Sequence, residues 1–182
     1  RHELAYWRGE AGDAAGAAAA FEALLADQLR VLGPDHPDTL TTRSNLAYMR
    51  GRAGDPAGAV AAFEALLADQ LRVLGADHPD TLATRRNLAL VRGEAGDSAG
   101  AAAALQALLA DQLRILGPDH PDTLATRRSL AFWRGQSGDI AGAVAEFESV
   151  LADDLRVLGP DHPHTLLART RLAHARGLAG DP

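Results

Sequence analysis

An aspartate followed directly by a histidine occurs four times at one spacing: Asp35-His36, Asp77-His78, Asp119-His120 and Asp161-His162, each inside a near-copy of the stretch LGPDHPDTL. A carboxylate beside an imidazole is the chemistry of a general base or of a divalent-metal ligand set. Geometry argues against both. The copies lie 42 residues apart, so if each belongs to its own structural unit, neighbouring pairs are separated by at least one helix spacing, about 8–10 Å. Four isolated pairs close no coordination shell. The flanking residues give the stretch another role. Gly33 suits the end of one helix, Pro34 cannot continue it, and Pro37 and Asp38 suit the first turn of the next, so the element reads as a bend. Other signatures of catalysis are missing. A chain without lysine has no Walker loop, no Gly-x-Gly-x-x-Gly follows a strand-like segment, and neither His-Glu-x-x-His nor Gly-x-Ser-x-Gly occurs. With no cysteine there is no thiolate nucleophile, thiolate metal site or disulfide. The expectation is a non-catalytic chain with no cofactor and no metal site.

The bend recurs because the whole chain recurs. Gly12-Asp13, Gly54-Asp55, Gly96-Asp97, Gly138-Asp139 and Gly180-Asp181 keep the same 42-residue interval as the histidines, and such a period is the mark of a repeat architecture. Two segments per repeat carry helical periodicity. From Asp55, the residues Val60, Phe63, Leu67, Leu71 and Leu74 form one stripe of a long helix B. Asp55 is placed as its N-cap, Pro56 at its first position and Gly75 at its end. Upstream, Leu40, Leu46, Ala47, Met49 and Ala53 fall on adjoining rows of a shorter helix A, joined to helix B by a tight turn at Ala53-Gly54-Asp55. No linker interrupts the series. The reading is therefore one domain over 1–182, with a partial repeat at 1–37, repeats at 38–79, 80–121 and 122–163, and a final helix at 164–182. Helix pairs that cannot bury their stripes alone do so by stacking, which gives an all-α solenoid of antiparallel helix pairs.

Composition narrows the partners. All 18 basic residues are arginine, net charge is −6, 47% of residues are hydrophobic and only 4% are aromatic. A net negative chain generates no field that draws in nucleic acid or an anionic membrane, so neither is expected as a partner. No apolar run approaches the roughly 18–20 residues that cross a bilayer, and no leader pattern opens the sequence; a cytoplasmic setting is expected. Arg1 in place of methionine implies a segment of something longer.

The recurring residues Asn45-Leu46-Ala47, Gly54-Asp55, Ala59, Phe63 and Leu66-Leu67, with the Leu-Gly-Pro/Ala-Asp-His-Pro connector, resemble tetratricopeptide repeats of the 42-residue kind found in kinesin light chains and many bacterial signalling proteins. The resemblance implies a right-handed α-α superhelix, with the A helices lining a concave groove that binds a peptide or protein segment. It also implies that the asparagine before Leu-Ala holds the backbone of such a segment. Asn45 and Asn87 match that position, while Ser129 and Arg171 depart from it and Glu3 occupies it in the partial first repeat. Arginine stands where such repeats often carry large apolar residues, early in helix A (Arg43, Arg85, Arg127) and late in it (Arg50, Arg92, Arg134). A clamp for a terminal carboxylate, seen in some relatives, relies on lysines that this chain lacks.

Near-identical repeats are informative where they differ. Helix B varies within one class, as in Phe21, Phe63, Leu105 and Phe147, which is how a packing surface behaves. Helix A changes chemistry at four positions: His2, Ser44, Arg86, Arg128, Thr170; Glu3, Asn45, Asn87, Ser129, Arg171; Tyr6, Tyr48, Leu90, Phe132, His174; and Glu10, Arg52, Glu94, Gln136, Leu178. These spacings share one helical side. The candidate peptide-binding residues are therefore Asn45, Asn87, Ser129, Arg86, Arg128, Tyr48, Leu90, Phe132 and Arg52. Arg86 and Arg128 favour an acidic segment through charge-assisted hydrogen bonds, and Leu90 and Phe132 offer apolar contact. Drift on a solvated face, with the arginines paired to neighbouring carboxylates, is the alternative. Trp7, Met49, Val91, Trp133 and Ala175 share one position and read as filling between helices, while Gly9, Gly51, Gly93, Gly135 and Gly177 suggest close approach of a neighbouring helix. Two further functional readings stand beside groove binding: a structural or regulatory arm of a larger signalling protein, and self-association through ends that lack a polar cap.

Overall fold

The computed structural model describes residues 2–180. Arg1, expected to open the first helix A, and Asp181 of the last Gly-Asp pair lie outside the described residues, as does Pro182. Among the described residues there are nine α-helices and no strand: α1 (His2–Glu10), α2 (Ala14–Val31), α3 (Pro37–Arg52), α4 (Pro56–Val73), α5 (Pro79–Glu94), α6 (Ser98–Ile115), α7 (Pro121–Gln136), α8 (Ile140–Val157) and α9 (Pro163–Ala179). The odd-numbered helices are the A helices and the even-numbered ones the B helices. They fall into two compact units, the first ending at Ala95 and the second beginning at Gly96.

The helix ends are set locally. Asp55 caps α4, its Oδ1 accepting from Gly58 N at 2.8 Å, and Pro56 occupies the first turn. The turn before it requires Gly54, whose φ of 97° lies in the left-handed region. At the other end of α4, the N–H groups of Leu74 and Gly75 both donate to Gln70 O, closing the helix before the connector. In the connector, His36 is the N-cap of α3, and its Nδ1 accepts from Asp38 N at 3.2 Å. His78, His120 and His162 do the same for α5, α7 and α9. The neighbouring aspartate is engaged as well: Asp35 receives both terminal nitrogens of Arg72, at 2.9 and 2.6 Å, and Arg156 grips Asp119 in the same two-pronged way. The histidine that invites a catalytic reading is a helix cap, and the aspartate is a strut.

In the first unit, Leu46 and Met49 of α3 pack on Ala17, Ala18 and Phe21 of α2 and on Ala5 of α1. One repeat on, Leu88 and Val91 of α5 join Ala59, Phe63 and Leu66 of α4 with Leu40 and Ala47 of α3. The second unit repeats the arrangement, with Leu172 and Ala175 of α9 against Phe147 and Val150 of α8 and Leu124 and Ala131 of α7. Each fully buried phenylalanine or leucine contributes about 1.5–3 kcal/mol, and the next repeat supplies part of that burial. Successive A helices also touch: α1 with α3, α3 with α5, and α7 with α9.

The buried row of helix B is rotated from the expected stripe. Ala59, Phe63, Leu66 and Gln70 are buried, whereas Leu71 is 46% exposed. The small Ala59 lets helix A approach, so the row through alanine, not the row of largest side chains, faces inward. Ala53 is exposed in the turn. The shared tryptophan position is core at Met49, Val91, Trp133 and Ala175, while Trp7 is 66% exposed. Close approach holds at Gly9, where an added Cβ would run into the Met49 side chain and lie 3.3 Å from Ala17 Cβ; Gly135 has room for ordinary contact.

Candidate functional site

The arginines that replace large apolar residues of helix A are held by carboxylates and amides of helix B. Early in the helix, Arg43 Nη1 donates to Asp69 at 2.8 Å. Arg127 makes a fuller set, donating from Nε to Glu146 at 2.8 Å, from Nη1 to Asp153 at 2.6 Å and from Nη2 to Ser149 at 2.6 Å. The late arginines reach back one repeat: Arg50 to Glu22, Arg92 to Glu64, Arg134 to Gln106 and Arg176 to Glu148, at 2.6–2.7 Å. Hydrogen bonding and charge from Arg43 hold Asp69 below the ordinary carboxylate range, and Arg156 followed by Arg127 does the same to Asp153.

With those cations spoken for, the remaining helix A side chains form an open recess between successive A helices. In the first unit the recess lies between α3 and α5, about 310 Å³ in volume, lined by Tyr48, Arg52, Asn87, Leu90, Val91 and Glu94. It gathers four of the residues singled out from the sequence. The Arg52 guanidinium sits 5.8 Å from the Tyr48 ring centre and donates to Glu10 at 3.2 Å. Asn45, half-buried beside it on α3, has its Nδ2 2.8 Å from His2 Nε2. Arg86, also half-buried, lies on α5.

The second unit has the same recess between α7 and α9, about 120 Å³, walled by Phe132, Gln136, Arg171, His174, Ala175 and Leu178 over a floor that includes Ala143 and Phe147. Each wall residue stands 84 positions after its counterpart in the first unit, so one location has been relined. Asparagine has become arginine, tyrosine phenylalanine, and the wall carboxylate Glu94 has become Leu178. Arg171 lies with its guanidinium carbon 4.3 Å from the Phe132 ring centre, and burial pulls its pKa below the ordinary arginine value. No ion pair to Arg171 is formed by any other described residue. The sequence treated Arg171 as a departure from the asparagine position and passed over His174; the signal lay in comparing their positions with the recess of the first unit.

Arg128 is placed elsewhere. Its Nη1 donates at 2.6 Å to Asp154 Oδ1, with the arginine side chain 11% and the aspartate 0% exposed, so this cation is neutralised inside the unit. Ser129 is half-buried on α7. Among the described residues no cluster of His, Asp and Glu is arranged to hold a metal ion, and no helix is long and apolar enough to cross a membrane.

Family models described as tetratricopeptide repeat match residues 1–70, 45–114 and 123–164. No curated protein matches. Among solved structures, the chain is similar to the nearly identical TPR-like repeats of a putative kinesin light chain from Podosopora anserina, at 30% identity and a TM-score of 0.83, covering 98% of this chain and 85% of that one. A variant of the same protein gives 30% identity and 0.84, over 98% and 84% of the chains. BtubC (BKLC) from P. vanneervenii is similar in fold, at 20% identity and 0.82, over 98% and 71%. The fold class is the all-α superhelix of these repeats, a scaffold whose general use is protein–protein interaction.

Proposed function

Because this chain belongs to the tetratricopeptide repeat family, we propose that it is a non-catalytic scaffold which binds a peptide or protein segment along its A helices, in a cytoplasmic setting. The observation that carries the reading is the repeated recess: the same location between successive A helices is open in both units while its wall residues change class. Helix B, in contrast, keeps its packing residues within one class. A surface maintained as a cavity but relined from copy to copy suits side-chain selection along an extended ligand, with the side chains of Asn45, Asn87 and Ser129 as hydrogen-bonding groups for its backbone and Tyr48, Leu90, Phe132 and Arg52 as contacts for its side chains. Arg86 remains a candidate contact, whereas Arg128 supports the surface from beneath through Asp154.

The test is a peptide-library screen with two surface variants. Leu90→Glu, in the recess, is expected to abolish capture of peptides retained by the wild type; Ala65→Arg, on the exposed side of α4, is expected to leave it unchanged. Loss of capture in Ala65→Arg with retention in Leu90→Glu would place the ligand on the helix B side and overturn the reading.

A further inference from the structure

The recess between α7 and α9 differs from its counterpart in one respect that bears on ligand chemistry. Its walls hold two side chains able to carry positive charge, Arg171 and His174, and no carboxylate. The recess between α3 and α5 holds Glu94 and an arginine already engaged by Glu10. The Arg171 guanidinium carbon lies 4.3 Å from the centre of the Phe132 ring, a cation–π contact that holds the cation at the recess, where its five N–H donors can serve a partner. A half-buried guanidinium that no described residue neutralises has lost solvation without gaining an anion, so an incoming carboxylate meets a site already desolvated. Beside it, Phe132 and Leu178 offer apolar surface.

We propose that this recess is the acid-selecting position of the groove: Arg171 receives the side-chain carboxylate of a glutamate or aspartate in the bound segment, while Phe132 and Leu178 take an adjoining apolar side chain. The inference rests on the groove reading above and adds the chemistry of the ligand. The first unit, with Asn87 and Glu94 at the equivalent places, makes no such demand.

The probes are two matched libraries of end-capped peptides, in which a single glutamate or a single glutamine follows a leucine, valine or phenylalanine, and a third library with glutamine and a free C-terminus. Binding is read by fluorescence anisotropy at low and high salt. For the wild type, glutamate peptides are expected to bind about tenfold or more tightly than their glutamine partners, a preference that shrinks with salt. Arg171→Asn, which installs the first unit's residue, is expected to erase the preference of glutamate over glutamine peptides, and Arg171→Lys to retain part of it. Melting curves confirm that the variants fold. Equal binding of glutamate and glutamine peptides, survival of the preference in Arg171→Asn, or a preference confined to the free terminus would overturn the proposal while leaving groove binding intact. Binding of no peptide in any library would remove both.

Discussion

Gln70 and Asp154 occupy the same repeat position, one in each unit, and both are buried, at 2% and 0% exposure. Gln70 buries its amide oxygen with no protein partner, opposite Ser44 of helix A. Asp154 is a carboxylate in the same setting, and opposite it stands Arg128, which binds one oxygen and leaves Oδ2 without a protein partner. The neighbouring position differs in the same direction, since Arg43 makes one ion pair and Arg127 two, with a serine besides. The apolar frame is common to both units, with Phe63 matched by Phe147 and Leu66 by Val150. Frame residues are fixed by packing, whereas a fully buried polar position such as this one can change to a charge when a partner comes with it.

The largest effect that separates the units is expected from breaking the buried pair. Arg128→Ala strands the Asp154 carboxylate and is expected to lower stability by about 3–5 kcal/mol, while Ser44→Ala in the first unit stays within about 0.5 kcal/mol; urea unfolding in a Trp7→Phe background, read by Trp133 fluorescence for the second unit and by circular dichroism for the whole chain, compares them. Similar losses for both would erase the distinction. Next, Arg127→Ala removes charged hydrogen bonds to three partners and is expected to cost about 2–3 kcal/mol, against about 1 kcal/mol for Arg43→Ala. Installing the first unit's residues together, Arg128→Ser with Asp154→Gln, is expected to return stability to within about 1 kcal/mol of the wild type, since a removed ion pair leaves no orphaned charge. A double variant as weak as Arg128→Ala would mean that the pair itself, not the stranded charge, matters.

The smallest expected effect is a pH dependence. His164 of α9 stands where the other connectors carry Asp38, Asp80 and Asp122. Burial lowers its pKa from the ordinary 6.5, and the charges of Arg128 and His162 add to this against the opposing pull of Asp154. A histidine with a lowered folded pKa supports the fold above 6.5, where it is neutral in both states, and the support fades as pH falls through its folded value. The second unit is therefore expected to weaken slightly on acidification from pH 7 into this range, and His164→Asp to remove the shift. The depressed carboxylates Asp69 and Asp153 act in both units and lose their contribution only as pH falls below the usual aspartate value near 3.8. Amide hydrogen exchange on α4 and α8 at several pH values resolves the two contributions.

Much of this was legible in the sequence. The interval of 42 residues, the Asp55 cap, the turn at Gly54 and the two-helix repeat follow from spacing and local backbone chemistry, which depend on neighbours along the chain. The failures are of another kind. The stripe of helix B was misplaced by one residue because side-chain size outvoted the alanine row, and only the approach of helix A decides between them. For Arg128 the sequence leaves ligand contact and carboxylate pairing both open, because its partner Asp154 lies 26 positions away on another helix. Arg171 stands at the asparagine position of the sequence pattern, and its contact with Phe132 and its place beside Leu178 come from packing between A helices, which spacing along the chain does not show. Charge pairing is a tertiary property, and one sequence does not carry it.

Binding along the A helices is tested most directly by hydrogen–deuterium exchange with and without a saturating peptide selected from the glutamate library. Protection is expected at α3 and α5 and, most strongly, at α7 and α9 around Phe132 and Arg171, with α4 and α8 unchanged on their exposed sides. Protection confined to the B helices, or to the connectors at His36 and His120, would contradict it.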